Sequence, residues 1–232
     1  MQNRAIATVL LACGTLGAAA PSALAVDTVR ATFNSVAPNT VCEFSADFGG
    51  AWKGTLAGGM NWTRDNMSPG TYAGLQGDFR TFCIEVTQNV AFNTSYEYHV
   101  VNTEDAPTID PMFSLPMGSF RAGMLSELFG RFYSGLASGS DYGAFQMAIW
   151  EIVYEMGETP FNVDNGRFQI RNAAPEQAMA NAMLGALTGQ GPTMNLLALT
   201  SREFQDQVFV PTPGALALAG MGGLLIARRR RA

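Results

Sequence analysis

In the first half of the chain, apolar residues recur at every second position in short runs separated by turn-forming residues, the pattern of strands with one buried face. The runs predict strands over 29–33, 41–48, 72–77, 80–86 and 96–101, punctuated by Gly49-Gly50, Gly58-Gly59 and Ser68-Pro69-Gly70. After Pro116 the period lengthens to that of a helix. Phe120, Met124, Leu125, Leu128, Phe129 and Phe132 make one apolar face, and Phe145, Ala148, Ile149, Ile152 and Val153 make a second within 141–155, with Ser140 or Asp141 available as N-cap. A third helix is predicted over 176–187, with Ala178, Met179, Ala182, Met183 and Ala186 inward and Pro175 near its start. Strands followed by helices predict an α+β domain, an antiparallel β half followed by a small helical bundle.

Two polar positions interrupt this pattern. Gln146 lies on the border of the apolar face of the 141–155 helix, between Tyr142 and Trp150, so its amide points into apolar surroundings and must find partners there. The plain structural expectation is that it bonds to the backbone of a neighbouring strand. In the 80–86 strand, Phe82, Ile84 and Val86 share one side, and Cys83 stands on the other.

The ends of the chain read as addresses. Arg4, the apolar run 5–12 and Ala23-Leu24-Ala25 make residues 1–25 a secretory signal peptide; Leu10-Leu11-Ala12-Cys13 is a competing lipoprotein box, but the apolar run continues past it to the Ala-x-Ala site. At the other end, Val210-Pro211-Thr212-Pro213-Gly214 is followed by an apolar run over 215–227 and by Arg228, Arg229, Arg230 and Arg231. Thirteen residues of helix reach only about 20 Å, short of the roughly 30 Å hydrocarbon core, and the arginines mark a cytoplasmic side. Between these segments, residues 26–209 form one domain by length.

Composition narrows the function. With 47% hydrophobic and 14% charged residues the chain has the material for a core. Of its 14 basic residues, Arg4 and the four terminal arginines lie outside 26–209, whereas all 19 acidic residues lie inside, so this part carries nine positive and 19 negative charges, a net −10. That balance argues against a nucleic-acid or anionic-lipid partner. The single histidine, His99, supports no Ser-His-Asp triad; no metal-ligand spacing is present, and the Glu151/Glu155 pair is expected on a solvated helix face. No cofactor or metal is implied, and a non-enzymatic protein is expected.

Phe82-Cys83-Ile84 together with Phe145-Gln146-Met147-Ala148-Ile149-Trp150 resembles the paired signatures of bacterial thioester domains of surface adhesins. The resemblance implies that the Cys83 thiol displaces ammonia from the Gln146 side chain to give an internal thioester, with Phe82, Phe145, Ile149 and Trp150 as walls of a protecting pocket. The order of Pro motif, short apolar helix and arginine tail, with Thr212 in place of the usual Glu, resembles the PEP-CTERM sorting signal. That resemblance implies an exosortase-type processing enzyme acting at the inner membrane, followed by release to the cell surface or extracellular matrix, with exopolysaccharide or an amine on a surface protein as partner. Against the thioester stands the ordinary expectation for two cysteines outside the cell, a Cys42–Cys83 disulfide in a non-reactive structural or polysaccharide-associated matrix protein. The only lysine, Lys53, leaves few internal amines to consume an electrophile.

Overall fold

A computed structural model describes residues 26–47, 49–109, 114–155 and 160–211; the expected signal peptide and the sorting segment from Thr212 onward, including Pro213, Gly214 and Arg228 to Arg231, lie outside the described residues. Val210 and Pro211 follow the last strand. The fold is α+β, and every strand pairing among the described residues is antiparallel.

The organising strand is β1, Thr28–Ser45, which runs through both the 29–33 and the 41–48 segments predicted as separate strands. Pro38, which cannot donate to a ladder, falls where the register with β2 (Lys53–Arg64) shifts between Val36 and Asn39, so the strand passes the proline at an irregularity instead of ending. β2 itself was hidden by Gly58-Gly59, which reads as a turn in sequence. Gly58 serves a close backbone approach instead: a Cβ there would fall 2.3 Å from the Pro38 carbonyl oxygen.

The remaining large strands are β3 (Asp78–Cys83), β4 (Thr94–Asn102), β7 (Gln169–Arg171), β8 (Leu197–Thr200) and β9 (Gln207–Phe209); β5 (Pro107–Ile109) and β6 (Ser114–Pro116) form a separate short ribbon. β1 pairs with β2 on one side and with β4 on the other, and the order β2-β3-β9-β8-β4 returns to β1, so six strands close on themselves and β7 adds to the far end of β1. Closure removes the free edges that an open sheet would expose. The 72–77 segment forms no strand. Trp62, Tyr98 and Phe33 fill the interior, with Trp62 4.9 Å from Phe33 and 5.7 Å from Tyr98 between ring centroids. The Trp62 indole N–H donates to the Thr81 hydroxyl at 2.9 Å, which donates in turn to Gln207 at 3.1 Å.

Among the described residues three α-helices lie against these strands: α1 (Gly118–Phe132), α2 (Gly139–Tyr154) and α3 (Ala174–Gly185). The N-cap of α2 is Ser138, two residues before Ser140 and three before Asp141, the positions expected, and Asp141 completes a capping box with it. Every residue of α2 from Tyr142 to Tyr154 is buried, since strands β1, β2 and β3 and helices α1 and α3 all pack on it. Gly143 brings α2 directly onto β1; a Cβ there would stand 2.7 Å from the Thr40 side chain. This burial corrects the expectation for Glu151, which is 0% exposed rather than on a solvated face.

Candidate functional site

β3 delivers Cys83 as its last residue. On the β9 side, Cys83 opposes Gln207, and the ladder bond falls one residue later, from the Ile84 N–H to the Asp206 carbonyl at 3.0 Å. The alternation of an antiparallel ladder therefore turns the N–H and C=O of Cys83 away from β9. On that other side the pairing with β2 has already ended at Met60↔Thr81. Two buried backbone groups are left needing partners.

Gln146 supplies both. Its carbonyl oxygen Oε1 accepts from the Cys83 N–H at 2.9 Å, and its Nε2 donates to the Cys83 carbonyl at 2.8 Å. This pairing fixes the orientation of the amide, because the opposite one would set donor against donor and acceptor against acceptor. Gln146 is 1% exposed and Cys83 3%. Helix and strand thus bring together the two residues singled out in sequence, by way of the same backbone bonds expected of any buried glutamine.

The Cys83 thiol donates to the Glu85 main-chain carbonyl at 2.7 Å. Burial pushes its pKa up to about 12, and the nearby Glu85 and Asp206 carboxyls push the same way; the Trp150 indole favours the thiolate but less strongly. That indole N–H lies outside hydrogen-bonding geometry and has no partner among the described residues. The thiol is therefore protonated at neutral pH, and attack on an amide requires a proton to be passed on.

Two carboxyls stand next to it that sequence reasoning missed. Burial raises the pKa of Glu85, whose Oε2 accepts from the Asp206 N–H at 3.2 Å and whose Oε1 accepts from the Thr87 hydroxyl at 2.5 Å. Burial likewise brings Asp206 up to about 7; its Oδ1 accepts from the Ser201 N–H at 2.7 Å, and its Oδ2 has no partner among the described residues. The available signal was the spacing of Cys83 and Glu85, which share a side of an extended chain.

Cys83 and Gln146 line a cavity of about 160 Å³, with Phe33, Val36, Met60, Val90, Phe92 and Trp150 among its walls. Of the walls expected from sequence, only Trp150 belongs to it. Phe82 and Phe145 point to the opposite side of β3, where they pack at 5.0 Å and both meet Phe129, at 5.6 and 4.8 Å. Ile149 is fully buried and does not line it. The correction follows from strand alternation: if Phe82 is on the helix-core side, Cys83 cannot share its wall.

Cys42 and Cys83 are both free and buried, so the alternative disulfide is not formed. Cys42 opposes Thr55 on β2 and has Glu176 and Glu43 as charged neighbours, surroundings distinct from those of Cys83. His99 is exposed on β4, away from the cavity. Among the described residues no group of three or more His, Cys, Asp or Glu side chains could hold a metal, and no helix is long and apolar enough to cross a membrane.

Chemically, the arrangement holds a thiol and a primary carboxamide on one residue pair. The Cys83 N–H already donates to the amide oxygen, which is where negative charge develops when a nucleophile adds to that carbonyl. To reach the carbonyl carbon, the sulfur must exchange its bond to the Glu85 oxygen for that approach. Comparison of the chain with protein-family profiles, curated proteins and solved structures finds no match in any of the three.

Proposed function

We propose that this is an exported cell-surface or extracellular-matrix protein that attaches covalently to a partner through an internal thioester between Cys83 and Gln146, the latter carried by a small helical bundle set against the barrel. The observation that carries the reading is the Gln146 amide held on both backbone polar groups of Cys83 at the floor of a cavity. In the first step Sγ bonds to Cδ of Gln146, the C–N bond breaks, and the thiol proton leaves with the nitrogen as ammonia. In the second, a nucleophile of the partner bonds to Cδ, the C–S bond breaks, and the thiol is restored. Burial protects the electrophile from water between the two steps. The protein acts once and does not turn over.

Export follows from the signal-peptide pattern of 1–25, and tail processing from the segment 210–232, which an exosortase-type enzyme at the inner membrane would remove. Absence of nucleic-acid partners follows from the net charge of −10 over 26–209, the 14 basic residues less five outside it against 19 acidic.

A second reading, a non-reactive matrix protein in which Gln146 only closes the sheet, is favoured by the satisfied state of both amide atoms. Intact-mass measurement of protein purified without reductant separates the two. The thioester gives a mass lower by one ammonia, lost in Cys83→Ala and in Gln146→Ala and replaced by an adduct with methylamine. An unaltered mass that ignores methylamine leaves only the matrix reading.

A further inference from the structure

Two buried side-chain atoms without a partner among the described residues belong to neighbours of the Cys83 thiol, and one is a donor while the other is an acceptor. The donor is Nε1 of Trp150, which follows Gln146 by one turn of α2 on the same helix face and lines the first cavity together with Gln146 and Cys83. The acceptor is Oδ2 of Asp206. That residue is held at three points, two of them on the residues that follow Cys83: its carbonyl accepts from the Ile84 N–H at 3.0 Å, its N–H donates to Glu85 Oε2 at 3.2 Å, and its Oδ1 accepts from the Ser201 N–H at 2.7 Å. Trp150 is 2% and Asp206 1% exposed, so each unpaired atom costs stability and calls for a reason. Moving one proton supplies it. Once Sγ gives its proton to Oδ2, the carboxyl has the donor it lacked, and the sulfur becomes an anion that can accept from the indole N–H.

We propose that Asp206 takes the Cys83 proton and passes it to the departing nitrogen of Gln146 while the Trp150 N–H holds the thiolate, so that the protonation of Asp206 switches thioester formation on and off. The inference rests on the thioester reading and adds its regulation. The proton leaves Sγ for Oδ2 and Sγ bonds to Cδ of Gln146. The same proton then moves from Oδ2 to Nε2, the Cδ–Nε2 bond breaks and ammonia departs, which leaves Asp206 ionised as it began, with nothing oxidised or reduced. Burial brings Asp206 up to about 7 against about 12 for the thiol, a smaller gap than an ordinary carboxylate at 3.8 would face. Besides Cys83, the titratable groups around it are Glu85 after β3, Tyr98 of β4 and Tyr154 of α2. Burial raises both tyrosines, which stay neutral, and Glu85 is raised as well, so the two carboxyls titrate as a pair. Only the ionised form of Asp206 accepts the thiol proton. Formation should therefore be slow in acid and quicken as pH rises through about 7.

The test uses the full chain, purified without reductant. Concentrated ammonium returns the thioester to glutamine, a mass gain of one ammonia; desalting then starts re-formation, followed as loss of that mass between about pH 5.5 and 8.5. The wild-type rate is expected to rise about tenfold per pH unit up to about 7 and then level. Asp206→Asn, which keeps the acceptor for the Ser201 N–H, should re-form at least about 100-fold more slowly at pH 8 and lose the break near 7. Trp150→Phe should be about tenfold slower with the break kept. Circular dichroism shows that each variant is folded, and the wild-type profile tests the switch without any variant. A wild-type rate without the break, an Asp206→Asn rate within about threefold of wild type, or an unchanged Trp150→Phe rate would each overturn the proposal. Wild-type protein with neither ammonia loss nor a methylamine adduct overturns the thioester reading and the relay with it, whereas a methylamine-reactive wild type whose re-formation ignores Asp206 overturns only the relay.

Discussion

Replacing Gln146 by leucine isolates what its amide does for the fold, provided the substitution is made in a Cys83→Ala background where no thiol can expel the amide nitrogen from the parent. The side chains are of similar volume, so the packing change is small. What is lost is the pair of bonds at 2.9 and 2.8 Å to the backbone of residue 83, which leaves one N–H and one C=O buried without partners. Each orphan costs about 1–3 kcal/mol, so the expected loss is about 2–6 kcal/mol, a large part of the roughly 5–15 kcal/mol that stabilises a domain. A loss near 4 kcal/mol corresponds to a fall in Tm of about 8–16 °C at this chain length. Urea unfolding followed by circular dichroism measures it. A loss under about 1 kcal/mol would refute the reasoning, because it would mean that water entering from the cavity satisfies the β3 terminus as well as Gln146 does.

A companion substitution, Gln146→Glu in the same background, gives the argument a pH signature. The protonated carboxyl reproduces one acceptor and one donor, whereas the ionised one loses the donor and sets negative charge against the carbonyl of residue 83. The folded-state pKa of the introduced carboxyl is therefore raised above its unfolded value of about 4.3. Its stability should be nearest that of the Gln146 parent below about pH 4 and fall as pH rises through the folded pKa. A pH-independent difference between the two would contradict the proposed bonding.

The other expectations are simpler. Asp206, held at about 7 in the fold against an ordinary value of 3.8, keeps a proton that the unfolded chain releases, so its contribution to stability is full below about pH 3.8 and is lost as pH rises to about 7. Asp206→Asn keeps the acceptor for the Ser201 N–H and should raise stability at pH 8 by about 1–3 kcal/mol with little change at pH 4, read by urea unfolding at both. Glu151, raised by burial from 4.5 to about 8, behaves alike on a higher window, and Glu151→Gln should help most above pH 8. Phe145→Ala empties the ring cluster shared with Phe82 and Phe129 and should cost about 3–5 kcal/mol without reaching the cavity at Cys83, so mass-detected thioester chemistry should persist in whatever fraction stays folded. Surface-located protein should lack Arg228 to Arg231 by mass; an intact tail there would sink the processing proposal.

Strands and helices with clean periodicity were legible: the 80–86 and 96–101 runs fall on β3 and β4, and the three predicted helices fall on α1, α2 and α3, but the inward face of the third was misplaced, because α3 buries Ala180 and Leu184 and leaves Ala178 and Ala182 exposed. β2 was not, because Gly58-Gly59 mimics a turn when the reason for glycine is a backbone 2.3 Å from a hypothetical Cβ. β8 and β9 were missed for a different reason. They are four and three residues long, after the helices, and only their places between β3 and β4 show that they complete the ring. A rule that reads strands first and helices second has no means of sending the chain back to its own beginning.

The site was legible in identity and not in geometry. The position of Gln146 at the edge of an apolar helix face announced a buried amide, but its partner depends on β2 leaving β3 after Thr81 and on Cys83 facing away from β9, both long-range facts. Once they are known, the structural role of Gln146 and the proposed chemistry are seen to use the same two bonds. The bond that satisfies the Cys83 N–H is also the one that polarises the amide carbonyl, and the bond from Nε2 is the one that loss of ammonia would remove. Thioester formation therefore takes a donor from the Cys83 carbonyl. A later amide product, with one N–H left, can return it, and an ester product cannot. An acceptor taken through the proposed thioester would thus leave a mark on the barrel itself, at the residue where strand pairing gives way to a side chain.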